Sequence, residues 1–306
     1  MIKNFAKYIQ NLPTLPEIII DLDSFRKSKN RNFKQLAMII KKDKSLHLDI
    51  LKVMDFQIFD FLNKPKNIHN FILITSLEFV CALATSLSFC RNIKTNLFSY
   101  TATFDDFLYS NTLSMLIVEM WLKKSDKKLK DELLIPAFLQ DLAKPFISQA
   151  ISENKLTEQF LNEIKNSNMS KAEEKFIGFN SQRISSTILK NWGLSHNIIF
   201  PILFSKDLKN CPDEFRLKAL ILNIVSIVSN LREPLLESNI KKAIKKDNTS
   251  KKSLPKISTN PNINNKSSLS SGKFLNKNVE NIFLNNLSAK LAKIIEKTIL
   301  FLIFFF

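Results

Sequence analysis

A chain of 306 residues, 45% hydrophobic and 24% charged, carries enough apolar mass for a sizeable core in one large or two small domains, which excludes a disordered protein. Its cysteines, Cys81, Cys90 and Cys211, are odd in number and lack C-x-x-C spacing, so a disulfide framework and a structural zinc site are excluded and a reducing cytoplasm is expected. The net charge of +17 is local: residues 241–278 hold ten Lys and one Asp, whereas residues 1–240 carry only +7. With only 3 Gly against 26 Phe, tight glycine turns are scarce and helices are the cheaper architecture.

In chain order, Leu12-Pro13-Thr14-Leu15-Pro16 fixes an extended start, and Ile18, Leu22 and Phe25 give helical spacing from Glu17 to about Lys27. Asn32 is an N-cap candidate for a helix running to Lys42, whose terminal lysines suit the negative end of the helix dipole. Asp43 can cap the next helix, with Leu46, Ile50, Val53 and Met54 as its buried stripe. After a break around Pro65, Ile68 to Phe89 reads as two apolar helices divided after Phe79, with Ala82, Ala84 and Ser86 allowing close packing. Asp105–Lys124, Asp131–Ala150, Leu156–Asn166, Ser181–Trp192 and Asp213–Leu231 follow the same 3.6 period, and no segment alternates with period two. The fold class expected is all-α to about residue 240.

Residues 241–278, rich in Lys, Ser and Asn, have too few apolar side chains to offset ordering and read as a flexible linker. Such a segment is a solvated tether or a weak contact for anionic membrane or nucleic acid; without interleaved aromatics it offers no stacking readout. Val279 to Thr298 is amphipathic and ends in ILFLIFFF, too short to span a bilayer and too apolar to stay exposed. It is expected to dock on the body, a partner or a membrane surface, unless the final FFF is an accident of a T-rich reading frame. No run of 18 apolar residues and no secretory leader occur, so the expected location is cytoplasmic, with a peripheral place at the membrane as the alternative.

The polar pair Gln140-Asp141 inside the apolar stretch LLIPAFLQDLAKPF demands an account, because a buried amide or carboxylate needs a partner. It is either the remnant of a site or an exposed or semi-buried edge bonding to neighbouring helix ends. Pro145 disfavours helical geometry at Lys144 and should kink or end the helix there.

Several motifs in order resemble the HDOD family, bacterial regulatory domains related to the HD phosphohydrolases. LPTLPEIIIDL is similar to that family's start, FKQLAMIIKKDKSLHLDILKVMDF to its Asp-introduced helix pair, and IHNFILITSLEFVCALATSLSF to the following pair, with Ser76 where glycine is common. AFLQDLAK resembles its G-L-L-H-D-I-G-K segment and ILKNWGLS its L-x-x-W-x-L-P segment, covering about Leu12 to Arg232. The resemblance implies an N-terminal helical bundle packed on a degenerate HD-type bundle. An HD enzyme holds metal through a His, a His-Asp pair and a later Asp. Carried over, these positions fall on Asn111, Gln140, Asp141 and, within one residue, Asn230; an additional family His falls on Ser181. Neutral amides are weak ligands for divalent ions, and Asp141 alone cannot hold a catalytic one, so the resemblance implies no catalytic residues, no metal and no cofactor.

His47, His69 and His196 stand apart from any ligand pair, no G-x-S-x-G or phosphate-cradling glycine loop occurs, and Trp121 and Trp192 are expected as core anchors. The function implied is a non-catalytic signal-transduction module, within cyclic-dinucleotide or motility signalling, that recognises another protein through a groove between its helical halves. The alternatives are a divergent metal-dependent HD phosphohydrolase acting on a nucleotide and a membrane-surface adaptor working through the basic linker and final helix.

Overall fold

The computed structural model describes residues 2–10, 12–62, 64–91, 93, 96–243 and 245. Contacts divide the chain into two units, Met1–Leu236 and Glu237–Phe306. The regular structure of the described residues is helical, with no strand among them. The helices of the first unit are α1 (Lys7–Gln10), α2 (Ile18–Lys27), α3 (Phe33–Lys42), α4 (Lys44–Met54), α5 (Ile68–Ile74), α6 (Leu77–Cys90), α7 (Phe104–Leu122), α8 (Lys127–Leu139), α9 (Lys144–Glu153), α10 (Thr157–Asn166), α11 (Met169–Ile177), α12 (Ser181–Asn191), α13 (His196–Phe204) and α14 (Asp213–Val228). In the second unit, residues 237–243 are helical, so the basic segment starts as helix; the rest of the expected linker and the amphipathic stretch 279–306 lie outside the described residues.

Capping chemistry sets the early helices where the sequence places them. Asn32 Oδ1 accepts from Gln35 N (3.1 Å) and Asp43 Oδ1 from Leu46 N (3.0 Å), so each side chain satisfies a donor that its helix leaves open. The other carboxylate oxygen of Asp43 pairs with Arg91 at the end of α6, tying α4 to its neighbour. Burial alone would raise the Asp43 pKa, but the Arg91 guanidinium and the Leu46 N–H hold it below the ordinary value. A depressed carboxylate contributes stability above its unfolded pKa and loses it as pH falls through the folded one. Replacing Asp43 by alanine is therefore expected to cost about 1–2 kcal/mol at neutral pH, from the cap and a partly buried ion pair, and to flatten the acid limb of a chemical-denaturation series over pH.

Helices α2 to α6 form one layer in which α6 packs on α2, α4 and α5, and Phe59, Phe71 and Phe79 meet edge to face at centroid separations of 5.0–6.5 Å. Ala84 and Ser86 of α6 are wholly buried, as their small size allows. The break within residues 68–89 falls at Thr75-Ser76 rather than after Phe79, because Ser76 Oγ caps α6 by accepting from Phe79 N (3.0 Å). Helix α8 is the centre of the second half, packed on α6, α7, α13 and α14. Helices α9, α10 and α11 form a side cluster around a short 3-10 turn, Phe98–Tyr100.

The periodic stretch Asp131–Ala150, expected to kink or end near Lys144, is two helices. Helix α8 starts earlier, capped by Asp126 Oδ1 on Leu129 N (2.9 Å), and residues 140–143 form a turn before α9. Proline explains the break: Pro145 has no N–H for the carbonyl of Asp141 and its ring would collide with that carbonyl in a continuous helix. The Asp141 carbonyl instead accepts from Lys144 N (3.0 Å), and Pro145 sits in the first turn of α9, so it starts a helix instead of ending one. Trp192 stacks on Phe89 at 5.5 Å and donates to the Pro13 carbonyl (3.2 Å), anchoring the opening Leu-Pro segment.

Candidate functional site

The turn between α8 and α9 lies under the N-terminus of α12, and this placement buries the polar pair. Gln140 is 1% and Asp141 7% exposed, so the pair is not a solvent-facing edge. Asp141 Oδ1 accepts from Gln182 Nε2 (2.8 Å) and Ser181 Oγ (3.2 Å), both in the first turn of α12, and Asp141 Oδ2 meets Lys144 Nζ at 2.5 Å. The turn itself is held from the same helix, since Ala143 N donates to Ser185 Oγ (2.9 Å). A helix N-terminus favours negative charge, which suits Asp141 here.

A second carboxylate shares this end of α12. Glu173 of α11 is fully buried; its Oε2 accepts from Ser181 N (2.6 Å) and its Oε1 from the Tyr100 hydroxyl (2.8 Å). Burial pushes the Glu173 carboxyl above its ordinary value and the Asp141 charge adds to this, while the Lys144 charge and the Ser181 N–H oppose it. Burial and the Glu173 charge likewise hold the Tyr100 phenol well above its ordinary value. Tyr100 was not singled out from sequence because it lies in a short turn between the expected helices, and Glu173 because α11 itself was not anticipated. Its signals were present: Asn168 caps it by accepting from Lys171 N (3.1 Å), and Gly178 ends it at φ 94°, a left-handed conformation that glycine adopts freely.

The remaining candidate positions do not join this hydrogen-bonded cluster. Asn111 of α7 is buried, and its Nδ2 has no hydrogen-bond partner among the described residues. Gln140 Nε2 donates to the Ala137 carbonyl (3.2 Å), and its buried Oε1 has no hydrogen-bond partner among the described residues. Asn230 is half-buried and serves its own loop by accepting from Arg232 N (3.0 Å). It is the neighbouring Ser229 that faces α7, its carbonyl accepting from Ser110 Oγ (2.6 Å) and its hydroxyl paired with Ser114 Oγ (2.5 Å). Of the five carried-over positions, only Asp141 and Ser181 are bonded to one another. Among the histidines, His69 packs on the Phe33 ring and His196 on the Phe200 ring.

A cleft of about 630 Å³ separates α2 and α6 from α8 and the start of α13. Arg26, Arg31 and Glu78 line one wall, and Lys127, Lys128 and Asp131 the other. Three acids line the cleft and each has a partner, Glu78 with Arg31 (3.5 Å), Asp131 with Lys130 (3.1 Å) and Glu132 with Lys218 (2.6 Å). Lys127 and Lys128 are exposed and make no ion pair among the described residues, so the cleft presents net positive charge. Behind it, Lys130 Nζ and Glu119 Oε2 form a buried ion pair at 3.0 Å, and Ser76 Oγ donates to the same oxygen (3.1 Å). Sequence reading missed this pair, since Glu119 and Lys130 stand on separate helices and nothing in their spacing couples them.

The family model for the HDOD domain matches residues 12–208, well over half of the chain. The chain belongs to the HDOD family. Among solved structures, this HDOD protein is similar to an HDOD domain protein of unknown function from Geobacter sulfurreducens, with a TM-score of 0.61 at 13% identity over 96% of this chain and 94% of that one. It is similar also to a candidate phosphohydrolase from Shewanella amazonensis (TM-score 0.59, 13% identity, 94% and 93% covered) and to a virulence factor from Campylobacter jejuni (TM-score 0.50, 20% identity, 95% and 100% covered). At these identities the likeness carries the fold alone. No curated protein matches the HDOD chain in sequence. No helix among its described residues is long and apolar enough to cross a membrane.

Proposed function

We propose that this HDOD protein is a non-catalytic regulatory module that recognises another protein through the cleft between its helical halves. The observation that carries the reading is the saturation of Asp141: the one carboxylate left at the HD positions has both oxygens engaged by Lys144, Gln182 and Ser181. Asn111, Gln140 and Asn230 offer only amides, and no group of three or more His, Cys, Asp or Glu among the described residues is arranged to hold a metal ion. The donors present do not fit a divalent catalytic centre, which needs imidazole or several free carboxylate oxygens.

A divergent phosphohydrolase is the second reading, favoured by the buried oxygens Gln140 Oε1 and Gln182 Oε1, which have no hydrogen-bond partner among the described residues. It requires Lys144 to release Asp141. Elemental analysis after reloading with Mn²⁺, Zn²⁺ and Mg²⁺, together with a nucleotide panel, separates the two. The expected outcome is no retained metal and no turnover, and stoichiometric metal with hydrolysis would overturn the proposal.

The exposed ammonium groups of Lys127 and Lys128 on the cleft wall point to an acidic surface on the partner. Capture from the native cell should be weakened at least tenfold by Lys127→Glu/Lys128→Glu and by raised salt, as long-range attraction is screened. Equal capture by wild type and variant would remove the cleft from the proposal.

A further inference from the structure

We infer that the cleft between the helical halves takes a phosphate monoester carried on a segment of the protein partner, so that binding reads the partner's phosphorylation. The inference rests on the protein-recognition reading and deepens it by naming the group that enters the cleft.

The lining decides the class of occupant. Among the described lining residues only Ile135 and Ile198 are apolar, and none is aromatic. A free small molecule is usually held by a mostly apolar pocket, and a nucleotide would find no ring here on which to stack its base. A charged group tethered to a larger chain needs neither, because its neighbours in that chain contact the rim.

Donors approach from three sides. Arg26 and Arg31 stand on one wall, Lys127 and Lys128 on the other, and the Ser195 hydroxyl and Asn197 amide at the start of α13. A carboxylate offers one charge and two coplanar oxygens. A phosphate monoester offers roughly two charges and three terminal oxygens that point apart, so it can be met from all three sides at once. The cations can be spared for it. Arg26 pairs with Asp23 where both side chains are exposed, an arrangement that holds weakly. Arg31 meets Glu78 at 3.5 Å, and its five-donor fork has capacity for a second acceptor. Asp131 and Glu132 are neutralised from outside this set, by Lys130 and Lys218.

The test uses the full chain and labelled degenerate peptides centred on phosphoserine, serine or glutamate, with binding followed by fluorescence polarisation at about 150 mM salt. The phosphoserine pool should bind at least about tenfold more tightly than the other two. Lys127→Gln/Lys128→Gln and, separately, Arg31→Lys, which keeps the charge and loses the fork, should each remove most of that advantage. Residues 241–278 keep their ten Lys in every protein compared, so the loss reads the cleft alone. Equal binding of the phosphoserine and serine pools, or an advantage that survives both variants, would overturn the inference. A glutamate pool as tight as the phosphoserine pool would overturn it while leaving an acidic protein partner in place. Displacement of the peptide by equimolar inorganic phosphate or AMP would assign the cleft to a free phosphate compound and overturn it as well. Capture by the charge-reversed variant tests the protein-recognition reading independently, so the two can fail apart.

Discussion

Lys130→Met is expected to reduce the stability of the folded body by about 3–5 kcal/mol, the usual cost of leaving one member of a buried ion pair alone. Lys130 and Glu119 are each 2% exposed and 3.0 Å apart, beyond the reach of solvent screening. Without the ammonium, Glu119 Oε2 keeps only the Ser76 hydroxyl, and Lys123 stands 3.9 Å from the other oxygen, itself half-exposed. Substituting both partners, Glu119→Gln with Lys130→Met, should recover most of that loss, about 1–2 kcal/mol short of wild type, the shortfall including Asp131, a partly exposed carboxylate that loses Lys130 at 3.1 Å. Urea denaturation of the four proteins measures the coupling directly. The same pair holds Ser76, the cap of α6, two residues from Glu78 in the cleft wall, so Lys130→Met should weaken partner capture as well. Near-neutral Lys130→Met would show that the pair is hydrated in solution.

Tyr100→Ala should be comparably severe. The ring is fully buried and stands edge to face on Phe160 at 5.3 Å, and removal of a buried aromatic typically costs about 3–5 kcal/mol. Tyr100→Phe keeps the packing and removes only the hydroxyl, leaving Glu173 Oε1 without its donor, so about 1–3 kcal/mol is expected. The two variants differ further in pH dependence. Because burial raises the Glu173 pKa, this group's contribution is complete below its unfolded pKa and is lost as pH rises through the folded value. Removing the donor that steadies the carboxylate should steepen that loss, and Glu173→Gln should abolish it. Thermal midpoints collected from acid to neutral pH test the sign, and a parallel profile for Glu173→Gln and wild type would contradict it.

These two clusters also mark where sequence reading reached its limit. Helices α3 and α4 were legible because Asn32 and Asp43 are local signals, each side chain acting on a donor three residues away. The motif around Gln140 and Asp141 was legible as a former site for the same reason, its residues being adjacent. What those residues touch was not, since Ser181 and Gln182 lie 40 and 41 positions on. Lys144 stood inside the motif three residues from Asp141, a spacing at which side chains meet on a helix or a turn, so this pair was local even though its burial was not. Proline there was read as a terminator, whereas its missing N–H serves equally well in the first turn of a new helix. Glu173 and Tyr100 are coupled across 73 residues, and Glu119 and Ser76 across 43, distances at which charge patterning carries no information.

The anchoring of the opening segment has a bearing on how the chain is made. Trp192 bonds to a carbonyl 179 residues earlier, and Ile2 N donates to the Phe176 carbonyl (2.7 Å). At ribosomal speeds of about 5–20 residues per second, this segment waits on the order of ten seconds or longer for its partners. During that interval its apolar side chains have no native seat, and a nascent-chain holdase has a window of access there.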